Sequence, residues 1–219
     1  SQELPYGEAI EALQKANKIL LVSHRRPDGD TLGASSALHL ALNQLNKKST
    51  LACIDDVSHR LLFIPETRKY VKEFNIYDYD LIVISDAGAS HMTGFQEKYA
   101  DFLSKKVPIL NIDHHFSNDN FGTINIVDAT ASSATMIVWE LLKKMGTKLT
   151  KEIALALLAG IYNDTGGLVH SNTTEKTFKA ASELMQAGVN IEDVSRPLFK
   201  QSSYDQLKLW GHILENMKI

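Results

Sequence analysis

Cysteine is nearly absent from this chain: Cys53 is the only one in 219 residues. No internal disulfide can form, and Cys53 lies in a short apolar run, where it reads as a small buried side chain. Such sparing use of cysteine favours a reducing, cytoplasmic setting. No apolar run is long enough to span a bilayer. No basic stretch followed by an apolar one opens the chain as a secretion signal would. A basic excess is missing too, with 23 Lys and Arg against 26 Asp and Glu and a net charge of −3. Proteins that grip long nucleic acids by neutralising phosphates usually carry such an excess. Long duplexes and membranes are therefore not expected as partners, whereas a small nucleotide met by local charge is compatible. There is no internal repeat and no low-complexity tract. The chain lacks an initiator Met and stops abruptly at Ile219, which reads as a trimmed or partial protein.

What is present is an alternation of short apolar runs with longer amphipathic stretches. Residues 19–22, 51–54, 81–84 and 107–112 read as strands. They are continuous rather than alternating, as suits strands buried on both faces of a parallel sheet. Helical spacing over residues 31–47, through Leu38, Ala41, Leu42 and Leu45, and similar patterns between strands suggest crossover units. The predicted class is α/β, a mainly parallel sheet flanked by helices. Residues 134–144 and 150–162 read as helices, the second apolar on nearly every side and so central. A further helix is expected from Thr173-Thr174-Glu175 to near Gly188. Residues 191–219 read as helical in two pieces broken near Pro197, with Leu207, Trp210, Leu214 and Met217 as an apolar stripe.

Acidic and imidazole side chains gather at the ends of the apolar elements. His24, Asp28 and Asp30 follow the first strand, in Ser23-His24-Arg25-Arg26-Pro27-Asp28-Gly29-Asp30, where Pro27 and Gly29 shape a tight turn. The bland reading is a solvated turn with Asp30 capping the helix, but that needs neither the histidine nor the second carboxylate. Asp86 follows the third strand and Asp113-His114-His115 the fourth. Asp164 ends the apolar helix, at the terminus where a carboxylate opposes the helix dipole and a cation would relieve it. Ligands of open α/β sheets bind at the carboxyl ends of strands, so the placement is coherent. A single ion would leave several of these carboxylates repelling one another, whereas two divalent ions would use them. Mixed oxygen and imidazole donors suit Mn²⁺ first, with Mg²⁺, Fe²⁺, Co²⁺ or Zn²⁺ also compatible. The absence of thiolate argues against structural zinc. Two such ions can clamp the attacking and departing oxygens of an in-line phosphoryl displacement. On this reading His115 contacts the phosphate, and Asp113 accepts a hydrogen bond from a liganding imidazole and fixes its tautomer.

These segments, with Asp164-Thr165-Gly166-Gly167, Ser171-Asn172-Thr173-Thr174 and the stretch from Asn120-Phe121-Gly122 to Ala131-Ser132-Ser133-Ala134, resemble the DHH phosphoesterase superfamily. Within it the nanoRNase/pAp-phosphatase group is the nearest in pattern; RecJ exonucleases and cyclic di-AMP phosphodiesterases are related. The resemblance covers nearly the whole chain. It implies His24, Asp28 and Asp86 at one Mn²⁺, with Asp30, Asp86, His114 and Asp164 at a second, Asp86 bridging. It implies hydrolysis of short oligoribonucleotides or of pAp (3′-phosphoadenosine 5′-phosphate). A cyclic dinucleotide phosphodiesterase, an inorganic pyrophosphatase and a non-catalytic nucleotide sensor are the alternatives. Residues 1–190 are then the catalytic domain, and residues 191–219 a helical extension toward a second, substrate-gripping domain. The glycine-rich segment ending in His that marks that domain does not occur in these residues. A homodimer is compatible with the pattern. His170 reads as an ordinary loop histidine.

Overall fold

The computed structural model describes residues 3–199 and 204–217. Five strands form one all-parallel sheet: β1 (Lys18–Ser23), β2 (Lys48–Ala52), β3 (Leu81–Ser85), β4 (Ile109–Asp113) and β5 (Ile124–Val127), in the order β2-β1-β3-β4-β5. The helices are α1 (Tyr6–Lys15), α2 (Gly29–Gln44), α3 (Phe95–Lys98), α4 (Ala134–Lys144), α5 (Lys151–Asp164), α6 (Glu175–Gln186), α7 (Ile191–Phe199) and α8 (Tyr204–Glu215). The expected α/β class and parallel sheet are present. Because β1 and β3 are neighbours while β2 and β4 lie on opposite sides of them, strand order reverses between β1 and β3. A crevice opens at the carboxyl ends of strands where the order reverses in this way.

Alternate residues of a strand face opposite sides of the sheet, and the two sides are filled differently. Ile19, Leu21, Val83 and Leu110 face an aliphatic core shared with α1, α2, α4, α5 and α6. Leu20, Val22, Ile82, Ile84 and Ile109 face a smaller core closed by Phe95 and Phe102. Phe74 meets Phe95 and Tyr99 with ring centroids 4.9 and 4.8 Å apart. This corrects one expectation. Only the β1–β2 connection is a long helix; β2–β3 carries three short 3₁₀ turns, and β3–β4 one such turn and α3. Large rings fill the space that crossover helices would have taken.

Boundaries shift elsewhere. β2 begins three residues earlier than the apolar run suggested. It is an edge strand, and of its residues only Leu51 and Ala52 are buried. β5 was not anticipated, being a four-residue edge strand in which only Ile126 is buried. Nor was α1. Pro197 lies inside α7 rather than breaking it. Leu207, Trp210 and Leu214 of α8, and Met217 just after it, are all exposed. Cys53 is buried, as expected. No described helix is long and apolar enough to cross a membrane.

Helix α5 is central, with eight buried residues from Ile153 to Ile161. It lies against α2 through small residues. A Cβ on Gly33 would collide with the carbonyl oxygen of Ala156 and come within 3.3 Å of the Gly160 nitrogen. A Cβ on Gly160 would strike the Thr135 side chain and reach 2.7 Å from Asp30 Oδ1. This close seam brings the start of α2 beside the end of α5.

Candidate metal centre

Sheet register places the first donors. Ser23 of β1 is level with Ser85 of β3, and Ser85 with Ile112 of β4. The next residue of each strand line is His24, Asp86 and Asp113, so these three share one layer above the strand ends. Thr31 Oγ1 ties the layer to α2 by donating to the Ser85 carbonyl at 2.8 Å.

Asp28, and not Asp30, caps α2: its Oδ1 accepts from the N–H groups of Asp30 and Thr31 at 2.9 and 3.2 Å. Asp30, two residues on in the first turn of α2, is fully buried. Its carboxylate accepts from the Ala134 and Thr135 N–H groups at 2.6 and 2.9 Å and from Thr135 Oγ1 at 2.6 Å. It therefore occupies the N-terminus of α4, where the helix dipole favours an anion. Even so, burial, with Asp86 and then Asp164 nearby, pushes its carboxyl well above the usual range. The local positive charge is too small for the negative charge around it.

Asp86 divides its oxygens. Oδ2 stands 3.5 Å from His24 Nε2, and Oδ1 stands 3.5 Å from His114 Nε2. His24 Nε2 is also 3.7 Å from Asp28 Oδ1, while His114 Nε2 is 3.1 Å from Asp164 Oδ2 and 3.9 Å from Asp30 Oδ2. Three donor groups compact enough for an ion result: His24, Asp28 and Asp86; Asp30, His114 and Asp164; and Asp86, His114 and His115. All six expected metal ligands fall in the first two. Asp86 has φ of 62°, in the left-handed region, and its N–H is held by the Ile112 carbonyl at 2.9 Å. Backbone strain of this kind concentrates at functional positions.

The residues fit a cation on two grounds. Asp86 Oδ1 and His114 Nε2 are both buried, yet neither has a hydrogen-bond partner. Uncompensated buried polar atoms cost stability, and these two stand 3.5 Å apart, with Asp164 Oδ2 3.1 Å from the same imidazole nitrogen. Ligands at right angles around an ion at about 2.1 Å stand about 3.0 Å apart, close to the shortest of these spacings. Without an ion, protons take its place. Burial opposes the charge on His24, but Asp28 and Asp86 outweigh it and hold the imidazole at about 10. Burial likewise opposes His114, and Asp164, Asp86 and Asp30 push it up to about 11. His24 Nδ1 meets the Arg25 carbonyl at 2.8 Å, which leaves Nε2 for the site.

Asp113 differs from expectation. Its Oδ1 is 2.7 Å from His115 Nδ1 and also accepts from the His114 backbone N–H at 2.8 Å; Oδ2 accepts from Asn118 Nδ2 at 2.5 Å. It orients His115, not the His114 ring. Burial works against the Asp113 carboxylate, but His115 and Asn118 hold it below the usual range, and Asp113 in turn raises His115. His115 Nδ1 is engaged by Asp113 and also lies 3.7 Å from Asp86 Oδ1, so His115 borders the two groups that hold the six expected ligands.

Asn118 and Thr135 were missed as supports, and Asn172 was singled out only as part of the resembling segment, without this role. Asn172 Nδ2 donates to the Ser132 and Asp164 carbonyls at 3.1 and 3.3 Å, tying the turn after α5 to the start of α4. The available signal was Asn111, an amide inside an apolar run. A buried amide needs partners, and it donates to Asn118 and Asn125 at 2.9 and 3.1 Å. His170 is an exposed loop residue whose Nδ1 faces the Asp164 carbonyl at 3.3 Å.

A parallel sheet with carboxylate and imidazole groups gathered at its switch point defines an α/β protein with a candidate metal centre. The chain belongs to the DHH family: the family's N-terminal domain matches residues 18–161. It is 30% identical over 214 residues to the bifunctional oligoribonuclease and PAP phosphatase NrnA of Thermus thermophilus, covering 96% of this chain and 62% of that protein. It is 29% identical over 216 residues to the protein of the same name from Bacillus subtilis, covering 97% of this chain and 66% of that one. An exopolyphosphatase-related protein from Bacteroides fragilis superposes with a TM-score of 0.89 at 25% identity, over 98% of this chain and 65% of that one. The chain thus spans roughly two-thirds of the length of these relatives.

Proposed function

We propose that this chain is the catalytic part of a divalent-cation-dependent phosphoesterase that hydrolyses short oligoribonucleotides or pAp. The observation that carries the reading is the division of Asp86 between two imidazoles, one oxygen facing His24 and the other His114. A carboxylate shared between two donor groups can hold two ions side by side, the spacing a two-ion phosphoryl site uses. His24, Asp28 and Asp86 would hold one ion, and Asp30, Asp86, His114 and Asp164 the other, with Mn²⁺ as first choice and Mg²⁺, Co²⁺, Fe²⁺ or Zn²⁺ compatible. Bound there, two divalent cations would neutralise phosphate charge and activate water for in-line attack on phosphorus.

The chain's own groups do the rest. Asp113 fixes His115 through Nδ1, so Nε2 is left to meet a non-bridging oxygen or to give a proton to the departing one. Asn118 holds Asp113 in place from the other oxygen. Asp30 and Thr135 lock α2 to α4, so the second donor group is set by packing before any ligand arrives. The choice of nucleotide follows the oligoribonuclease and PAP phosphatase activities for which the NrnA relatives are named. Residues 1–190 are proposed as the catalytic unit and residues 191–219 as a helical extension toward a further substrate-binding domain, in a cytoplasmic protein.

The test is an assay of purified protein with Mn²⁺ against pAp, dinucleotides, cyclic di-AMP and pyrophosphate. Cleavage of pAp or dinucleotides with chelator-sensitive turnover is expected. Cleavage of pyrophosphate alone would overturn the substrate assignment, and nucleotide binding with no product over long incubation would favour a sensor.

A further inference from the structure

Phe116 is 95% exposed, more than any other large apolar side chain among the described residues. A phenylalanine held in water forgoes the burial that stabilises such rings elsewhere, and Phe116 does so one residue from His115. It is not on a loose loop. It occupies a turn closed by the Asn118 N–H donating to the His115 carbonyl at 3.1 Å. Both ends of that turn are clamped by one carboxylate: Asp113 Oδ1 meets His115 Nδ1 at 2.7 Å, and Asp113 Oδ2 accepts from Asn118 Nδ2 at 2.5 Å. Asn118 is further fixed by donating to the Ala87 carbonyl at 3.1 Å and accepting from Asn111 and the Asn120 N–H at 2.9 and 2.8 Å. The peptide bond is trans, which sets the two Cα atoms about 3.8 Å apart.

The surroundings decide what such a ring can meet. Ser117, Asp119 and Asn120 beside it are exposed and polar. An isolated aromatic in a polar rim lacks the contiguous apolar patch that a protein partner needs. A rigid, solvated ring suits a planar π-ligand, and nucleobases stack on aromatic side chains in this way.

We infer that Phe116 is the stacking platform for a nucleobase of the substrate whose phosphate lies against His115. This rests on the nucleotide reading above and adds to it the residue that senses the base. The experiment compares the full-length protein with Phe116→Ala and Phe116→Tyr, using Mn²⁺ and a 5′-phosphorylated dinucleotide with or without its bases. The ratio of kcat/KM for the base-bearing over the abasic substrate should fall about fivefold to a hundredfold in Phe116→Ala, through KM. Phe116→Tyr should retain that preference. An unchanged ratio in Phe116→Ala would overturn the inference. Quenching of a 2-aminopurine dinucleotide separates it from the functional reading. Phe116-dependent quenching without hydrolysis of any nucleotide upholds stacking and removes the hydrolase assignment. Hydrolysis with quenching that ignores Phe116 removes stacking and leaves the hydrolase.

Discussion

The two donor groups that share Asp86 are built by opposite means. His24 and Asp28 come from one turn, four residues apart, and the sheet register supplies Asp86 beside them. Asp30, His114 and Asp164 come from α2, the segment after β4 and the end of α5, and meet only because α2 and α5 lie in close contact. The first group is local and the second is tertiary. The first should tolerate changes in helix packing that the second cannot, although one carboxylate links their fates.

The largest expected effect comes from removing that link. Asp86→Ala should lower turnover by on the order of a thousandfold or more, because both groups lose a ligand. Elemental analysis should show most of the metal gone; near wild-type metal content would exclude the bridge. Next, His115→Ala should retain metal and lose on the order of a hundredfold in kcat, whereas His114→Ala should lose metal from the tertiary group. Equal metal loss in both variants would mean that the two imidazoles have been assigned the wrong way round.

Gly33→Ala attacks the packing alone. The new methyl would meet the Ala156 backbone carbonyl, which has no side-chain freedom to give. Overpacking of this kind costs about 1–3 kcal/mol, to be read by chemical denaturation. Mn²⁺ titration should show one site weakened and the other nearly untouched; equal weakening would erase the distinction between local and tertiary groups.

The last effect is a gradient with pH, not a single loss. His24 and His114 are held at about 10 and about 11 without metal, above the unfolded imidazole value of about 6.5. Their protonation therefore stabilises the metal-free chain fully below about 6.5, and that stabilisation fades as pH climbs through about 10 to 11. Metal must displace the same protons, so Mn²⁺ affinity should rise from pH 6 to pH 9, by up to about tenfold per unit for each proton released. Calorimetry in buffers of different ionisation enthalpy counts those protons; a flat affinity would contradict the release.

The local group was the more legible in sequence, for the same reason. His24 with Asp28 sits at the end of an apolar run that alone marks a strand terminus; Asp113-His114-His115 does too, although its His114 serves the tertiary group. What pattern could not supply was the partner of each side chain. Asp113 stands next to His114 in sequence, yet its carboxylate serves the His115 ring, because the turn through Asn118 folds that ring back over it. Only the bland reading made Asp30 a cap for α2; Asp28 is that cap, and what sequence could not show is that Asp30 also accepts from the N-terminus of α4, more than 100 residues away. β5 carries too few buried residues to register as a strand, and the aromatic face has no period because it is assembled from turns.

The left-handed backbone at Asp86 has a consequence for how this position can vary. A φ of 62° is open to glycine and tolerable for asparagine and aspartate, but it disfavours every β-branched or bulky residue. The fold thus screens candidates at this point before chemistry does. Aspartate combines tolerance of this backbone with a short carboxylate whose two oxygens can be shared, so substitution here is narrowed twice, once by shape and once by charge.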